Sequence, residues 1–256
     1  MKNKKITLFI IGILSLLVLL LLSGLVLYLT NPNFAFSVYQ QSETLVEKTY
    51  SLDEIKNIKV NTSSQKIRII KQETENISIK ITGYKKEEYA LELKNEELSI
   101  KKEKGFLCFG FCTGKEEVLI SIPKENSINF TLQTSSGDIE IENLSNNRIT
   151  ADTSSGDISI QGAKSIYATA SGGDIEIGTV SSGDLITSSG DIDIQSFNTT
   201  ENSNITTSSG DVVIKSSQNA YIETTTKSGD VNVSNSDRFA PYTITINTSS
   251  GDISVN

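Results

Sequence analysis

The hexapeptide "TSSGDI" occupies residues 134–139 and recurs unchanged at 153–158, 187–192 and 248–253. Three close variants, "ASGGDI", "TSSGDV" and "TKSGDV", lie between these copies. The glycines of the seven copies are 17 to 22 residues apart. They are Gly137, Gly156, Gly173, Gly190, Gly210, Gly229 and Gly251. A nearly constant spacing of this size is typical of stacked structural repeats.

Small or apolar residues alternate on both sides of each repeat glycine. The second and fourth residues after it are always Ile or Val, as in Ile139 and Ile141. The third and fifth residues before it are small or apolar, as in Thr134 and Leu132. Each run predicts a strand with one buried face, but the alternation slips by one residue at Ser-Gly-Asp. We therefore expect a corner there, with the glycine at positive φ and the aspartate accepting N–H groups of the turn.

The repeat predicts an all-β fold, a parallel β-solenoid (β-helix) of about seven coils over residues 131–256. The same register fits residues 58–69 with Gln65 in the glycine position. Residues 51–130 are therefore predicted to be an N-terminal β region with one degenerate coil and partly antiparallel strands, which caps the stack. The last coil, around Gly251, is expected to leave an open strand edge, and such an edge permits self-association.

The first thirty residues differ from the rest of the chain. Residues 6–29 carry no charge, and 24 helical residues are long enough to cross a bilayer. Three lysines precede this run, which predicts a cytoplasmic N-terminus. We expect residues 1–30 to form a cytoplasmic tip and transmembrane helix and residues 31–50 a juxtamembrane tether. The protein would then be a single-pass protein of the cell membrane, with most of the chain extracytoplasmic. A cleaved signal peptide is the alternative, although no A-x-A-like cleavage site stands out.

Composition excludes several classes of function. The chain has no histidine, so histidine-based catalysis and histidine metal ligands are excluded. Residues 131–256 carry 5 basic and 16 acidic residues, a net charge of −11. Such a surface repels phosphate, so nucleic acid is not an expected partner. No motif for a cofactor is found.

The aspartates of the repeats are predicted to stack into a row, since like residues of successive coils align. They are Asp138, Asp157, Asp174, Asp191, Asp211, Asp230 and Asp252. Hydrogen bonds of the corner account for this row most simply. The alternative is a row of bound cations, because Ca²⁺ prefers carboxylate and other oxygen ligands. Paired acids also allow a polysaccharide-cleaving enzyme, but catalytic carboxylates need different environments, whereas these acids occupy equivalent corners.

Two cysteines lie in the apolar segment "GFLCFGFCTG" (105–114). Zinc would require four ligands, and the chain has no other cysteine and no histidine. Outside the cytoplasm a local disulfide between Cys108 and Cys112 is expected, with two buried thiols as the alternative. The segment itself is interpreted either as a packed hairpin or as a contact tip for a membrane or a partner.

Taken together, these features resemble the bacterial putative-adhesin family, which includes LiaG-like envelope-stress proteins. The resemblance rests on the N-terminal anchor, the degenerate coil "IKVNTSSQKIRI", the strand "VLISIPK" and the serial "SSGDI" coils, and it covers roughly residues 45–256. It implies an extracytoplasmic, non-enzymatic β-repeat protein without catalytic residues.

We therefore expect a membrane-anchored, surface-exposed, adhesin-like interaction or scaffold protein of the bacterial cell envelope. Its partner would be an unidentified envelope or cell-surface component. The first alternative is an accessory regulator of envelope-stress signalling, and the second is a polysaccharide-active enzyme.

Overall fold

A computed structural model describes residues 15–16, 18–20, 22–23, 26, 34–85 and 87–256. For residues 34–40 and 106–112 it describes the backbone only. The few described residues before 27 are helical. Within the described parts of the chain, no helix is long and apolar enough to cross a membrane. The predicted membrane-spanning segment, residues 6–29, lies largely outside them.

The fold consists almost entirely of strands, so the all-β prediction is confirmed. One 3-10 helix, Leu52–Glu54, is the exception between Phe34 and Asn256 among the residues described. The strands are β1 (Phe34–Gln41), β2 (Glu43–Ser51), β3 (Asn57–Asn61), β4 (Lys66–Gln72), β5 (Asn76–Gly83), β6 (Glu88–Lys94), β7 (Glu97–Thr113), β8 (Glu117–Pro123), β9 (Asn129–Thr134), β10 (Ile139–Thr153), β11 (Ile158–Ala170), β12 (Ile175–Thr187), β13 (Ile192–Asn198), β14 (Ser203–Thr206), β15 (Val212–Ile214), β16 (Ser217–Gln218), β17 (Ala220–Thr225), β18 (Val231–Val233), β19 (Tyr242–Asn247) and β20 (Ile253–Val255).

Each repeat forms one rung, which we define as the strand before a repeat glycine, the corner, and the strand after it. Strands before the corners pair in parallel with one another and build a first wall, as β9 does with the second half of β10. Strands after the corners build a second wall in the same way, as β4 does with the first half of β10. The register aligns like residues, so that Ile139 pairs with Ile158 and Ile158 with Ile175.

The core lies between the two walls. At the second position after the glycine, Ile139, Ile158, Ile175 and Ile192 are fully buried, and each such side chain contributes about 1.5–3 kcal/mol by leaving water. The position seven residues after the glycine has no consistent residue type in the sequence. Five of its residues are buried, namely Leu144, Ala163, Val180, Phe197 and Ser217, whereas Ser236 of the outermost rung is exposed.

At the C-terminal end, the order of rungs in space differs from their order in the chain. Strand β19 lies between β14 and β17, and β20 lies between β15 and β18. The rung of Gly251 therefore sits inside the stack, and the rung of Gly229 ends it. The expectation that the Gly251 coil leaves the open edge was wrong. All rungs share one register, so the sequence alone does not say which of them are neighbours.

The outermost rung carries a partial cover. Residues after β18 fold back over the outer edge of β17, where Asp237 N–H donates to the carbonyl of Ala220 at 3.1 Å. Ile222 N–H donates to Ser236 Oγ at 3.0 Å. Val231, which occupies the core position of this rung, is nevertheless 47% exposed because no rung follows it.

The N-terminal end is rearranged in a similar way. The rung of β3 and β4 packs between the rung of β9 and β10 and an outer rung formed by β7 and β8. Strand β6 pairs antiparallel with β7, and β5 pairs antiparallel with β8 and β2. Strand β9 begins at Asn129, so the predicted boundary between residues 130 and 131 falls within a strand.

A two-stranded ribbon extends from this end. The last part of β7, residues 105–113, continues beyond the wall and pairs in parallel with β1. Residues 31–50, expected to be a tether, thus include strand β1 and all of β2 except Ser51. These strands were not predicted because their sequences lack a sustained alternation of apolar and polar residues. Strand β2 is held in place by its pairing with β5 and by Val46 and Tyr50, which pack on the core.

Candidate functional site

The repeat glycines all lie at corners where two backbones approach closely. A Cβ atom added at any of the seven would lie 1.8–2.2 Å from the carbonyl oxygen of the neighbouring rung. Real Cβ atoms do not approach an oxygen this closely, so glycine is required for the stacking distance itself. The partner oxygen belongs to Gln65 below Gly137, to Gly210 below Gly251 and to Gly251 below Gly229.

The expected reason for glycine was different. Among the described glycines only Gly114 and Gly229 have a positive φ, +129° and +159°. The other six repeat glycines have none, so the expectation of a left-handed corner was wrong for them. The one-residue slip in the alternation needs only a bend in the chain, and the small size of glycine serves the rung-to-rung contact.

The aspartates of the corners form a continuous row, linked from rung to rung. In every rung but the outermost, the Oδ1 atom of the aspartate accepts the backbone N–H of the aspartate in the next rung, at 3.2 Å for Asp138 and 2.8 Å for Asp211. The remaining links join Asp157, Asp174, Asp191, Asp211, Asp252 and Asp230. The sequence predicts hydrogen bonds within each turn, but the carboxylates instead join neighbouring rungs. Among the described residues, no group of three or more acids is arranged to hold a metal ion.

A second row lies just inside the first and is made of threonines. Thr187 Oγ1 donates to the carbonyl of Gly173 at 3.1 Å and accepts the N–H of Gly190 at 3.2 Å. Thr153, Thr207 and Thr248 repeat both bonds. These hydroxyls satisfy backbone groups that the corner would otherwise bury without partners. The Gly173 rung has Ala170 in this position and therefore lacks the hydroxyl.

Outward-facing side chains also align on the first wall. Asp152 lies between Gln133 and Thr169 of the adjoining rungs. Its carboxylate accepts from Gln133 Nε2 at 3.2 Å and from Thr169 Oγ1 at 2.8 Å. The wall therefore presents a fixed row of polar groups at the spacing of a parallel sheet, about 4.8 Å.

A buried charged cluster at the N-terminal end was not predicted. Lys102 and Glu87 form an ion pair whose side chains are 7% and 0% exposed. Lys102 Nζ also lies 3.9 Å from Glu116, which in turn accepts a hydrogen bond from Gln65 Nε2. Glu87 additionally accepts the backbone N–H of Tyr84 at 3.1 Å. These charges come from a segment so rich in Lys and Glu that it resembles a solvated surface.

Burial dominates the electrostatics of this cluster. It raises the pKa of Glu87, while the hydrogen bond and charge of Lys102 act in the opposite direction. Burial also raises the pKa of Tyr89, to which Glu87 and Glu116 add. The Tyr89 hydroxyl is buried without a hydrogen-bond partner among the described residues. The cluster joins the Gln65 corner to β7 and to the segment before β6, which is a structural role.

The side chains of Cys108 and Cys112 lie outside the described residues. Their backbone belongs to the ribbon, where Cys108 pairs with Ser37 and Cys112 with Gln40. The disulfide therefore remains a prediction.

Comparison with known proteins agrees with this architecture. The model of a family described as Toastrack DUF4097 matches residues 55–256. No curated protein matches the sequence at a significant level.

A "putative adhesin" from Bacteroides fragilis has a similar crystal structure, with a TM-score of 0.55, 16% identity and coverage of 86% of this chain and 100% of that one. Its similarity supports the fold.

Two further crystal structures have lower TM-scores. A "putative lipid binding protein" from Parabacteroides distasonis has a TM-score of 0.47, 13% identity and coverage of 86% of this chain and 99% of that one. A "putative adhesin" from Parabacteroides merdae has a TM-score of 0.40, 12% identity and coverage of 85% and 99%.

Proposed function

Since this chain belongs to the Toastrack DUF4097 family, as the putative-adhesin resemblance implied, we propose that it is a non-enzymatic, adhesin-like interaction or scaffold protein on the surface of the bacterial cell envelope. It is anchored by a single transmembrane helix over residues 6–29, with the N-terminus in the cytoplasm. Beyond the membrane it forms a solenoid of about seven coils. The Bacteroides fragilis protein with a similar fold is named a putative adhesin, which supports the adhesin-like role.

The observation that carries this proposal is the row of polar groups on the first wall. Gln133, Asp152 and Thr169 are held in register by their hydrogen bonds to one another. Three polar groups of different types, held at the spacing of successive rungs and followed by the exposed Ile186 of the next rung, suit an extended polymer with its own repeat, such as a cell-wall glycan. Weak contacts to successive rungs would then add up through multivalency.

Several features favour binding over catalysis. The acids of the corners are equivalent, and each accepts the same backbone N–H from the next rung. An acid–base pair needs two groups in different environments. Glu87 does have a perturbed pKa, but its carboxylate is fully buried against Lys102 and inaccessible to a polymer.

The outermost rung is the second surface of interest. We propose self-association through its edge, strands β17 and β18, because unpaired backbone groups of an edge strand accept another strand. The exposed Val231 adds apolar surface there. The cover formed by residues 236–237 leaves β18 as the accessible part.

The test compares cells that carry the full-length chain with cells that carry an Asp152→Lys, Thr169→Lys variant. We expect the first to retain purified envelope polymer and the variant to lose it. A matched control, Ser159→Lys and Glu176→Lys on the second wall, should retain it. Equal retention by all three would contradict the proposal. Altered stress signalling without altered retention would favour the regulatory alternative, and turnover of the polymer would favour an enzyme.

A further inference from the structure

The ribbon formed by residues 34–41 and 105–113 is the part of the molecule that the stack does not explain. Residues 34–41 (β1) pair only with β7 among the described strands, and residues 105–113 pair only with β1. The ribbon is therefore a two-stranded parallel sheet outside the walls. Isolated two-stranded sheets are marginally stable in water, and parallel pairs are the weaker kind. Such a pair gains stability when a further surface packs against it.

The composition of the ribbon indicates an apolar environment. Its 8 and 9 residues include no Asp, Glu, Lys or Arg. Five of the nine phenylalanines of the chain lie in it, together with Tyr39. These phenylalanines are Phe34, Phe36, Phe106, Phe109 and Phe111. A solvated loop would not concentrate aromatic residues in this way, because each carries a large area of apolar surface.

With the membrane anchor proposed above, the position of the ribbon in the chain favours a bilayer as its environment. The uncharged run of residues 6–29 ends five residues before Phe34. Five residues span at most about 18 Å, so a membrane-spanning segment there would hold β1 close to the surface of the bilayer. Pairing with β1 then brings residues 105–113 to the same depth.

The charge distribution also favours an orientation in which the ribbon faces the membrane and the acidic stack points away from it. Residues 131–256 carry a net charge of −11, from 5 basic and 16 acidic residues, whereas residues 31–130 carry 15 of each and are neutral. An anionic membrane surface would repel the acidic stack and tolerate the neutral end, from which the ribbon extends.

We propose that the ribbon lies in the interfacial layer of the bilayer, where its aromatic residues contact lipid and fix the stack relative to the membrane. This inference rests on the membrane anchoring proposed above. The interface is favoured over the hydrocarbon core because the outer edges of a two-stranded sheet carry unpaired N–H and C=O groups. Such groups are not tolerated among lipid tails but find water and headgroups at the interface, where aromatic residues are enriched.

The absence of tryptophan from the chain allows a clean experiment. Full-length Phe109→Trp protein is reconstituted in lipid nanodiscs that contain lipids brominated close to the glycerol backbone. The matched control is Tyr167→Trp, a residue that is 46% exposed in β11 of the stack. We expect the bromines to remove most of the emission of the tryptophan at 109 and to leave that at 167 unchanged.

The outcomes separate this inference from the anchoring on which it rests. Protein that is recovered in nanodiscs with both tryptophans unquenched retains its anchor and overturns the interfacial ribbon. Protein that fails to remain with lipid overturns the anchoring proposal itself. Blue-shifted emission at 109 without bromine quenching would show that protein, from a second copy or another partner, covers the ribbon, and would also overturn the inference. A Leu107→Lys change added to Phe109→Trp should reduce the quenching while the thermal unfolding of the stack stays the same.

Discussion

The corners at Gly190 and Gln65 occupy the same position in their rungs, but they are built in different ways. Gly190 faces the backbone of the rung below, with the oxygen of Gly173 only 2.0 Å from where a Cβ would lie. Below Gln65 the chain leaves the wall to form the ribbon, and a buried cluster of Gln65, Glu116, Lys102 and Glu87 fills that level. Glycine is thus needed only where another corner lies directly beneath.

The backbone carbonyl groups of Gln65 and Gly190 make equivalent hydrogen bonds to the rung above. Gln65 accepts from Thr134 Oγ1 at 3.5 Å, as Gly190 accepts from Thr207 Oγ1 at 3.1 Å. Each corner therefore supports the rung above it in the same manner. The two corners differ only in what lies below them. Below Gly190 the backbone of the next rung leaves no room for a side chain. Below Gln65 there are polar side chains that require hydrogen-bond partners.

The largest expected effect is at the Gln65 end. Replacing Lys102 with Met leaves Glu87 buried without its ion-pair partner, and breaking a buried pair costs about 3–5 kcal/mol. We expect a loss of this size in the free energy of unfolding, measured by urea denaturation at neutral pH. In the control Lys102→Met, Glu87→Gln, the charge is gone and the amide oxygen can still accept the N–H of Tyr84, so most of the stability should return.

The pH dependence of the same variant checks the mechanism. Because burial raises the pKa of Glu87, the folded protein binds the proton of this carboxyl group more tightly than the unfolded chain does. Protonation of Glu87 therefore stabilises the folded state. The resulting stabilisation is complete below the ordinary value of 4.5 and is lost as the pH rises through the folded pKa. Removing Lys102 removes an influence that lowers this pKa. The penalty of Lys102→Met should therefore shrink as the pH falls toward 4.5, and a constant penalty would contradict this account of the cluster.

A glycine corner should fail for a steric reason instead. In Gly190→Ala the new methyl group would meet the carbonyl of Gly173, so the two rungs must separate. We expect a loss of about 3 kcal/mol, at the upper end for overpacked sites, independent of pH.

The control for that change lies in the same type of corner. Gly172 precedes the repeat glycine of its rung, and a Cβ there would have its nearest neighbour at 3.8 Å. Gly172→Ala should change the stability by no more than about 0.5 kcal/mol. If both substitutions are tolerated equally, close approach is not the reason for glycine.

The sequence predicted the corners well and their neighbours poorly. Ile139 and Thr134 were identified as inward-facing because alternation is a local property, and both are buried. The sequence did not predict that the Gly251 rung lies between the Gly210 rung and the Gly229 rung. Every rung has the same register, so several stacking orders satisfy the same pattern. Glu87, Lys102 and Glu116 were missed because they are far apart in a charged segment, where nothing local distinguishes a buried ion pair from an exposed one.

Within the stack, the threonine row should have a smaller effect than the glycine row. Thr187→Val keeps the shape of the side chain but leaves the N–H of Gly190 and the carbonyl of Gly173 without their hydroxyl partner. Unsatisfied buried groups of this kind cost about 1–3 kcal/mol, so we expect a loss near 2 kcal/mol by chemical denaturation. Thr169→Val, on the outer face of β11, should cost less, since its hydroxyl bonds to the accessible Asp152.

The smallest effect is a gain, and it tests whether the rungs of the stack are interchangeable. Ala170 occupies the threonine position of the Gly173 rung, and its neighbours on either side, Thr153 and Thr187, make the two corner bonds. Ala170→Thr should supply the same bonds to Gly156 and Gly173 and raise the free energy of unfolding by about 1 kcal/mol. Ala168→Thr is the matched control, because Ala168 is fully buried in the core and a hydroxyl there should destabilise the fold. A loss of stability in both variants would mean that the Gly173 corner, like the Gln65 corner, differs in structure from the other corners. The residues around Ala170 would then require alanine at this position.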